Sequence, residues 1–434
     1  MRYDPPPADF FRRNRRRFMR KMQPDSVAVF YSNAQVVRSG DTYYPFRQNN
    51  GLWYLSGLDQ PDSVVVLFPD CAKDGFQEVA FIRRSDAFTR RWDGAGLSRE
   101  EASRISGIEQ VLWTDDLERI LHELILLAKR VYLNIPEHLH QPAVQHDANW
   151  QHGRKLQERY PAHKYHRAQP ILRKLMAIKS EEEIALIQQA VNITGEAFEA
   201  VLPQVRPGIM EYELEAEITG HFIRRRAMGH AYPPVIAAGE NSCILHYQPN
   251  NQRCADGEVL LMDFGAEFAN YAADVTRTVP MNGAFTDRQQ QIYEAVLSVL
   301  HRTVPLFVPG KTLEDIQRAA RALMEAKLIE LGLLTQNEVD RASAIYPAYK
   351  KYFMHSVAHH LGMDAHNMAN PYEPIQAGMI FAVEPGIYVP AEKMGFRLEN
   401  VVLVTDEGPH DLTKNIPIEL EDIVDMMNQG AITQ

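Results

Sequence analysis

Several features that would place this chain in other protein classes are scarce or missing. Only three of its 434 residues are cysteines, and no two of them stand at the CxxC spacing of redox and zinc motifs. No uninterrupted apolar run approaches the ~20 residues that a membrane-spanning helix requires. The N-terminal stretch also lacks the apolar segment of a secretory signal. We therefore expect a cytoplasmic protein with no disulfide framework and no membrane partner.

Positive charge is scarce in the larger part of the chain. The formal net charge is −10, divided into +4 for residues 1–172 and −14 for residues 173–434. Nucleic-acid binding needs a basic face, so we expect no nucleic-acid partner. The one basic cluster, "FFRRNRRRFMRKM" at residues 10–22, also carries phenylalanines and methionines at helical spacing. We interpret it as the solvated face of an amphipathic helix, with a nucleic-acid-binding segment or a transit peptide as alternatives.

The pattern of apolar residues predicts two domains. Short β-branched runs, "SVAVFYS" and "SVVVLFP", and the helical period of "LERILHELILLAK" predict an α/β domain at the start of the chain. Ser180 and Glu183 then form a capping box in front of an apolar helical stripe. We place the boundary near residue 172, with a smaller domain at 1–172 and a larger one at 173–434.

The second domain mixes strands and helices. Strand-like runs, "EVLLMDFGAEF" and "AADVTRTV", precede helical segments at 287–305 and 312–331 and a strand-rich stretch at 378–404. Strands interspersed with runs of helices predict α+β packing and not βαβ winding. The expected fold class is therefore α+β, with a smaller α/β domain in front.

Two aspartates stand inside apolar, β-prone runs of this domain. Asp263 and Asp274 would be cross-strand partners if a hairpin turn were centred between Phe268 and Ala269. Two carboxylates so close together in apolar surroundings repel each other unless a cation or a proton lies between them. The alternative is an offset turn that leaves one aspartate facing solvent.

Histidines and glutamates follow in the last third of the chain. The segment "FMHSVAHHLGMDAH" holds four histidines within twelve positions but no HExxH motif, so it lacks the local glutamate of single-zinc proteases. Its alternative interpretation is a helix with surface histidines. Glu384 and Glu399 are acids within apolar runs, and Arg397 would share a strand face with Glu399. A solvated face is the alternative for both glutamates.

These residues together predict a metal centre. Ligation dominated by carboxylates favours hard ions such as manganese over a thiolate-selected zinc site. Four carboxylates also exceed what one divalent ion needs, whereas two ions would balance them.

The ordered segments "LLMDFGAEFANYAADVTRT", "HSVAHHLGMDAH", "FAVEPGIYV" and "FRLENVVLVT" resemble those of the pita-bread metallopeptidases. Within that family they are similar to the aminopeptidase P and prolidase branch. The segment "VRSGDTYYPFRQNNGLWYLSGLDQP" resembles the non-catalytic N-terminal domain of aminopeptidase P. The resemblance implies a C-terminal pita-bread catalytic domain, preceded by a domain with a role in the substrate pocket or in oligomer formation.

The resemblance also implies a role for each motif residue. The metal ligands fall on Asp263, Asp274, His359, Glu384 and Glu399. They would hold two divalent ions, manganese being expected and cobalt, zinc or iron being alternatives. The residues that match catalytic or substrate-binding positions are His246, His355, His366, Glu384 and Arg397. Three residues align loosely with the substrate pocket, although packing or turn roles fit them equally: Asp41, Trp92 and Tyr388.

The implied activity is release of the first residue from peptides with proline in second position, by a metal-bridging hydroxide that attacks the Xaa-Pro carbonyl. The implied partners are such peptides and further copies of the chain, as a dimer or tetramer. An Xaa-Pro dipeptidase (prolidase) remains an alternative, because "NMANPYEPIQAGMIFAV" replaces a longer, arginine-bearing loop of aminopeptidase P. A catalytically inactive pita-bread binding module is the remote alternative, since all five ligand positions are kept.

Overall fold

A computed structural model describes residues 2–137, 147–367 and 369–431. The chain divides into two compact units, an N-terminal one at Tyr3–Met176 and a C-terminal one that begins at Ala177. This division lies a few residues after the boundary predicted near residue 172. Among the described residues, none of the helices combines the length and the apolar character needed to cross a bilayer. Met368, in the segment "NMANPYEPIQAGMIFAV", lies outside the described residues.

The N-terminal unit contains eight strands and seven helices within its described residues. Its helices are α1 Ala8–Met19, α2 Asn50–Ser56, α3 Ala87–Asp93, α4 Arg99–Ser106, α5 Leu117–Leu127, α6 Ala148–Arg159 and α7 Gln169–Ala177. Its strands are β1 Ser26–Tyr31, β2 Val37–Ser39, β3 Thr42–Tyr43, β4 Val64–Leu67, β5 Glu78–Ile82, β6 Gln110–Trp113, β7 Arg130–Leu133 and β8 Lys164–Arg167.

A mixed six-stranded sheet forms the centre of this unit, in the order β6-β5-β4-β1-β7-β8. Strand β1 pairs antiparallel with β4 and parallel with β7. Every residue of β1 and β4 is buried, because both faces of the sheet are covered, and this explains why the two runs are continuously apolar. The predicted strands and the helix α5 are thereby confirmed.

Helix α1 carries the basic cluster of the N-terminus. Phe10, Phe11 and Phe18 are fully buried, which confirms the predicted amphipathic helix. Arg15 is an exception to the predicted solvated face, because it is buried and its Nε donates to Oε2 of Glu78 at 2.7 Å. A buried arginine needs such a partner to offset the loss of hydration.

The C-terminal unit has the following elements within the described residues. Its helices are α8 Glu181–Val201, α9 Glu211–Arg224, α10 Asp287–Thr303, α11 Leu313–Glu330, α12 Gln336–Arg341 and α13 Leu420–Ala431. Its strands are β9 Gly229–His230, β10 Val235–Ala238, β11 Val259–Phe264, β12 Ala266–Phe268, β13 Tyr271–Ala272, β14 Val275–Pro280, β15 Ala358–His360, β16 Ile380–Val383, β17 Gly386–Val389, β18 Met394–Arg397, β19 Asn400–Thr405 and β20 Gly408–Asp411.

The strands of this unit form four small antiparallel sheets: β10-β11-β14, β13-β12-β9, β15-β16-β19-β20 and β17-β18. Helix α8 begins with the predicted capping box of Ser180 and Glu183, and it packs against α9, β12 and β13. Helices lie against antiparallel sheets, as the α+β prediction requires. Two of the sheets, those of β11 and β16, carry the predicted site.

Candidate metal centre

A β-hairpin brings the two aspartates together. Ala269 and Asn270 form its turn with φ of 51° and 65°, and positive φ at both central residues defines a tight type I′ turn. The turn lies one residue later than predicted, so Asp263 pairs with Thr276 and not with Asp274. The prediction of directly opposite aspartates is therefore wrong. They are diagonal neighbours, and because the shift is two residues both still face the same side.

The second sheet supplies the imidazole and the two glutamates. The histidine-rich segment is not a helix: His359 lies in β15, opposite Ala382 of β16. Glu384 directly follows β16, and its N–H donates to the Val357 carbonyl at 2.7 Å. Glu399 directly precedes β19, so it does not share a strand with Arg397, which ends β18.

These four carboxylates and His359 meet in one cluster. Nε2 of His359 lies 3.5 Å from Oδ2 of Asp274, 3.8 Å from Oε1 of Glu384 and 3.9 Å from Oε1 of Glu399. Ligand atoms of Asp263, Asp274 and Glu399 all lie within 4.8 Å of one another. The structure thus joins residues that are up to 136 positions apart in the sequence.

His366 extends the cluster on its exposed side. Its ring centroid is 4.2 Å from that of His359, and Asp274, His359 and His366 form a second group with ligand atoms within 4.8 Å. Asp274 belongs to both groups. A side chain shared in this way could contact two ions, whereas each of the other members belongs to one group.

The buried carboxyl groups of the cluster can be ionised together only if nearby positive charge compensates them. Burial raises the pKa of Asp274, Glu384 and Glu399 well above the ordinary carboxyl range, and repulsion from neighbouring carboxylates raises it further. Burial also lowers the pKa of His355 and His359 to about 3, so both imidazoles are neutral. Neutral imidazole and carboxylate are the forms in which these side chains ligate metal ions.

The described donor set fits divalent cations. Four carboxylates face one cation, Arg397, whose Nη2 donates to Oδ2 of Asp263. When these carboxyls are ionised, their negative charge exceeds what Arg397 balances, in a nearly buried place where Asp274 is 5% and Glu399 1% exposed. Carboxylate and imidazole ligands without thiolate match hard to borderline ions.

Two further side chains bind carboxylates of the cluster, and the sequence analysis missed both. Tyr232 has its hydroxyl 2.7 Å from Oδ1 of Asp263 and 2.6 Å from Oδ1 of Asp274. The phenol has one proton and can donate in only one of these two hydrogen bonds. One of the two carboxyl groups must therefore be protonated and donate in the other bond, in agreement with the raised pKa of Asp274. The hydroxyl of Thr276 accepts from Nε of Arg397 at 3.2 Å and donates its own proton to Oε2 of Glu399 at 2.7 Å.

Thr276 had a signal in the sequence, because "DVTRT" places it two positions after Asp274 on the same strand face. Tyr232 lies in "GHAYPPV", where neither period nor spacing distinguishes it.

A hydrogen-bond chain orients His355. Nη1 of Arg397 donates to the hydroxyl of Tyr388 at 2.9 Å, and this hydroxyl lies 2.9 Å from Nε2 of His355. Since guanidinium can only donate, Tyr388 gives its own proton to His355. The other ring nitrogen, Nδ1, then donates to the Ser356 carbonyl at 2.8 Å. Tyr388 is thus a buried member of the site and not only a packing residue.

The remaining predicted residues lie in different places. His246 is exposed, and it is one of the charges that lower the pKa of His355, after burial and Arg397. Asp41 is exposed in the turn between β2 and β3, and Trp92 is 73% exposed on α3. These last two residues belong to the N-terminal unit and not to the cluster.

Comparison with known proteins decides the family. The profile of Metallopeptidase family M24 matches residues 185–406, and that of the Aminopeptidase P N-terminal domain matches residues 11–132. The chain belongs to metallopeptidase family M24. The expected pita-bread domain, preceded by an aminopeptidase P-type domain, is thereby confirmed, and so is the expectation of an enzyme.

Relatives resemble the chain over almost its whole length. The Xaa-Pro aminopeptidase of Escherichia coli K12 is 32% identical over 431 residues, which cover 96% of this chain and 97% of the relative. The solved structure of aminopeptidase PepP from Pseudomonas aeruginosa has a TM-score of 0.91 at 30% identity, covering 99% of both chains. Aminopeptidase P of E. coli with the inhibitor Pro-Leu has a TM-score of 0.86 at 30% identity, covering 99% of this chain and all of that chain.

Proposed function

We propose that this enzyme is a metal-dependent aminopeptidase that releases the first residue from peptides with proline in second position. The observation that carries the proposal is the convergence of four carboxylates and His359 in an M24 domain behind an aminopeptidase P-type domain. Relatives that match almost the whole chain include the Xaa-Pro aminopeptidases of Escherichia coli and Haemophilus influenzae, which favours this activity over that of an Xaa-Pro dipeptidase. The complete donor set argues against an inactive binding module.

The metal ligands in this proposal are Asp263, Asp274, His359, Glu384 and Glu399. We propose that these residues would hold two ions and that Asp274, which belongs to both ligand groups, would help to hold each of them. Manganese fits the carboxylate-rich set, with cobalt, zinc or iron as alternatives. Such ions, when bound, act as Lewis acids and lower the pKa of water toward neutrality.

The chain's own groups would bind the peptide and move the proton. Glu384 accepts the proton of the attacking water, and its Oε2 lies 3.8 Å from Nδ1 of His355, which binds the substrate. His246, His355 and His366 bind the substrate and stabilise the negative charge that develops on the scissile carbonyl oxygen. Arg397 keeps His355 in one orientation through Tyr388.

The N-terminal unit, predicted as residues 1–172, would serve oligomer contacts and the substrate pocket. Six large apolar side chains of its β2–β3 hairpin and α3 are between 51% and 73% exposed: Val36, Val37, Tyr43, Tyr44, Phe88 and Trp92. Exposed apolar surface of this kind is typical of protein contacts. We propose a homodimer or homotetramer in which this apolar surface takes part, with Asp41 and Trp92 as candidate substrate-pocket residues. A cytoplasmic location agrees with three unpaired cysteines.

Peptide cleavage tests the proposed function. An Xaa-Pro-Yaa tripeptide should lose its first residue in the presence of manganese, and chelator should abolish the reaction. The matched Xaa-Ala-Yaa peptide should be cleaved poorly, and the Xaa-Pro dipeptide more slowly than the tripeptide. Asp274→Ala should be inactive, because it removes a ligand common to both groups. Full activity of that variant, or equal cleavage without proline, would contradict the proposal.

A further inference from the structure

A second buried carboxylate lies outside the metal centre. Glu211, the first residue of α9, is fully buried. Its Oε1 accepts from Ala238 N at 2.9 Å and from Asn241 Nδ2 at 3.2 Å. Its Oε2 accepts from the Tyr247 hydroxyl and from Gln252 N, both at 2.8 Å. All four donors are uncharged, and the positive end of the α9 dipole helps to stabilise the carboxylate.

The four donors belong to one continuous part of the chain. Residues 239–251, here called the His246 turn, connect β10 to the segment before β11. Asn241 and Tyr247 stand on either side of His246, and both bind the same carboxylate. Between them the backbone turns through two hydrogen bonds, from Ile244 N to Asn241 O and from Tyr247 N to Ile244 O. The backbone that carries the exposed His246 is therefore fastened at both ends to Glu211.

The His246 turn also contacts the elements of the metal centre. Gly395 N donates to Oγ of Ser242 at 2.7 Å, and Gly395 lies in β18, the strand that ends at Arg397. His246 acts electrostatically on His355. A small displacement of the turn would therefore change the distance between His246 and the substrate-binding groups.

We propose that Glu211 is a positioning residue that sets where His246 stands relative to the metal centre, and that it influences substrate binding only through that histidine. The proposal rests on the proposed function, because that function gives His246 its contact with the peptide. A merely structural Glu211 would instead stabilise the whole domain and act on all groups of the site alike.

The test is a double-mutant cycle with Glu211→Gln and His246→Ala, assayed on an Xaa-Pro-Yaa peptide. Glu211→Gln keeps the size of the side chain but turns one acceptor into a donor that faces two donors. We expect kcat/KM to fall about 10–100-fold, the cost of misplacing a substrate contact by about an ångström. With His246 already removed, the same change should cost less than about twofold, because groups that act through one another are not additive.

A matched control is Glu217→Gln, which removes the same charge from the exposed face of the same helix and should leave kcat/KM unchanged. Manganese affinity, measured by calorimetry, should be the same in Glu211→Gln as in the wild type, since the four donors to Glu211 do not include a proposed metal ligand. Three results would each overturn the proposal. They are additive losses of kcat/KM in the double mutant, a normal kcat/KM in His246→Ala, and loss of metal binding in Glu211→Gln.

If Glu211→Gln fails to fold, Tyr247→Phe replaces it in the same cycle, because it removes only one of the four hydrogen bonds. Tyr247→Phe should lower kcat/KM less than Glu211→Gln does, and this loss must also vanish when His246→Ala is present. A loss of kcat/KM that persists in the double mutant would overturn the proposal. A wild-type enzyme that does not cleave Xaa-Pro peptides would refute the proposed function instead. The positioning role is then tested by the crystal structure of the variant: a displaced His246 with unmoved Asp263 and Asp274 supports it, and an unmoved His246 refutes it.

Discussion

The hydroxyl of Thr276 offers a sharp test of how the ligands are held. Thr276 is fully buried, donates to Glu399 at 2.7 Å and accepts from Arg397 at 3.2 Å. Thr276→Val keeps the shape of the side chain and removes both hydrogen bonds. The Glu399 carboxylate then loses the bond that orients it, and the Arg397 guanidinium loses an acceptor.

The size of the effect follows from the charge of the two partners. A hydrogen bond to a charged group contributes about 1.5–3 kcal/mol, and loss of a group that orients a metal ligand typically weakens metal binding about 10–100-fold. These two figures agree, because about 1.4 kcal/mol corresponds to a factor of ten. We therefore expect Thr276→Val to raise the Kd for manganese by about 10–100-fold.

Isothermal titration calorimetry of the metal-free protein measures this Kd. Thr276→Ser keeps the hydroxyl and should bind within about threefold of the wild type. Thr278→Val is the matched control, because this buried hydroxyl lies two residues along the same strand and, among the described residues, bonds with the backbone of Arg397 and with no carboxylate. Wild-type affinity in Thr276→Val, or equal weakening in Thr278→Val, would refute the reasoning.

Three further outcomes are expected. Tyr388→Phe breaks the chain from Arg397 to His355 and should lower kcat/KM about tenfold, measured on an Xaa-Pro tripeptide, while manganese affinity changes little. Tyr232→Phe should weaken manganese binding in calorimetry about tenfold, because two carboxylates lose a shared partner. In chelator, the melting temperature should fall as the pH rises from about 7 to 9, above the range in which the histidines of the unfolded chain bind protons. The folded state holds the protons of the buried carboxyls to higher pH than the unfolded chain does, since burial raises their pKa. Excess manganese should abolish this dependence of the melting temperature on pH. A melting temperature that rises over the same pH range in chelator would contradict the buried-cluster account.

The sequence predicted which residues come together better than it predicted their geometry. Apolar runs around Asp263, Glu384 and Glu399 marked them as acids that need compensation, and the structure brings these residues into one place. The turn was predicted one residue too early. Ala269 and Asn270 both take positive φ, and this pair lacks the glycine that usually indicates a type I′ turn in a sequence.

Long-range contacts explain what the sequence could not predict. Tyr232 binds two aspartates that lie 31 and 42 positions away, and Glu211 binds donors up to 41 positions away. Helical or strand periodicity reports which face of an element is apolar, and it carries no information about such distant partners. The histidine-rich segment was ambiguous for the same reason, since only its pairing with β16 decides that His359 lies in a strand.

The central claim is that divalent ions compensate a buried cluster of acids from distant parts of the chain. Anomalous diffraction at the manganese edge, from crystals of the metal-loaded protein, tests it most directly. We predict two peaks roughly 3.5–4 Å apart, with Asp274 in contact with both. A loaded crystal with no peak among Asp263, Asp274, His359, Glu384 and Glu399, or with peaks only elsewhere, would contradict the claim.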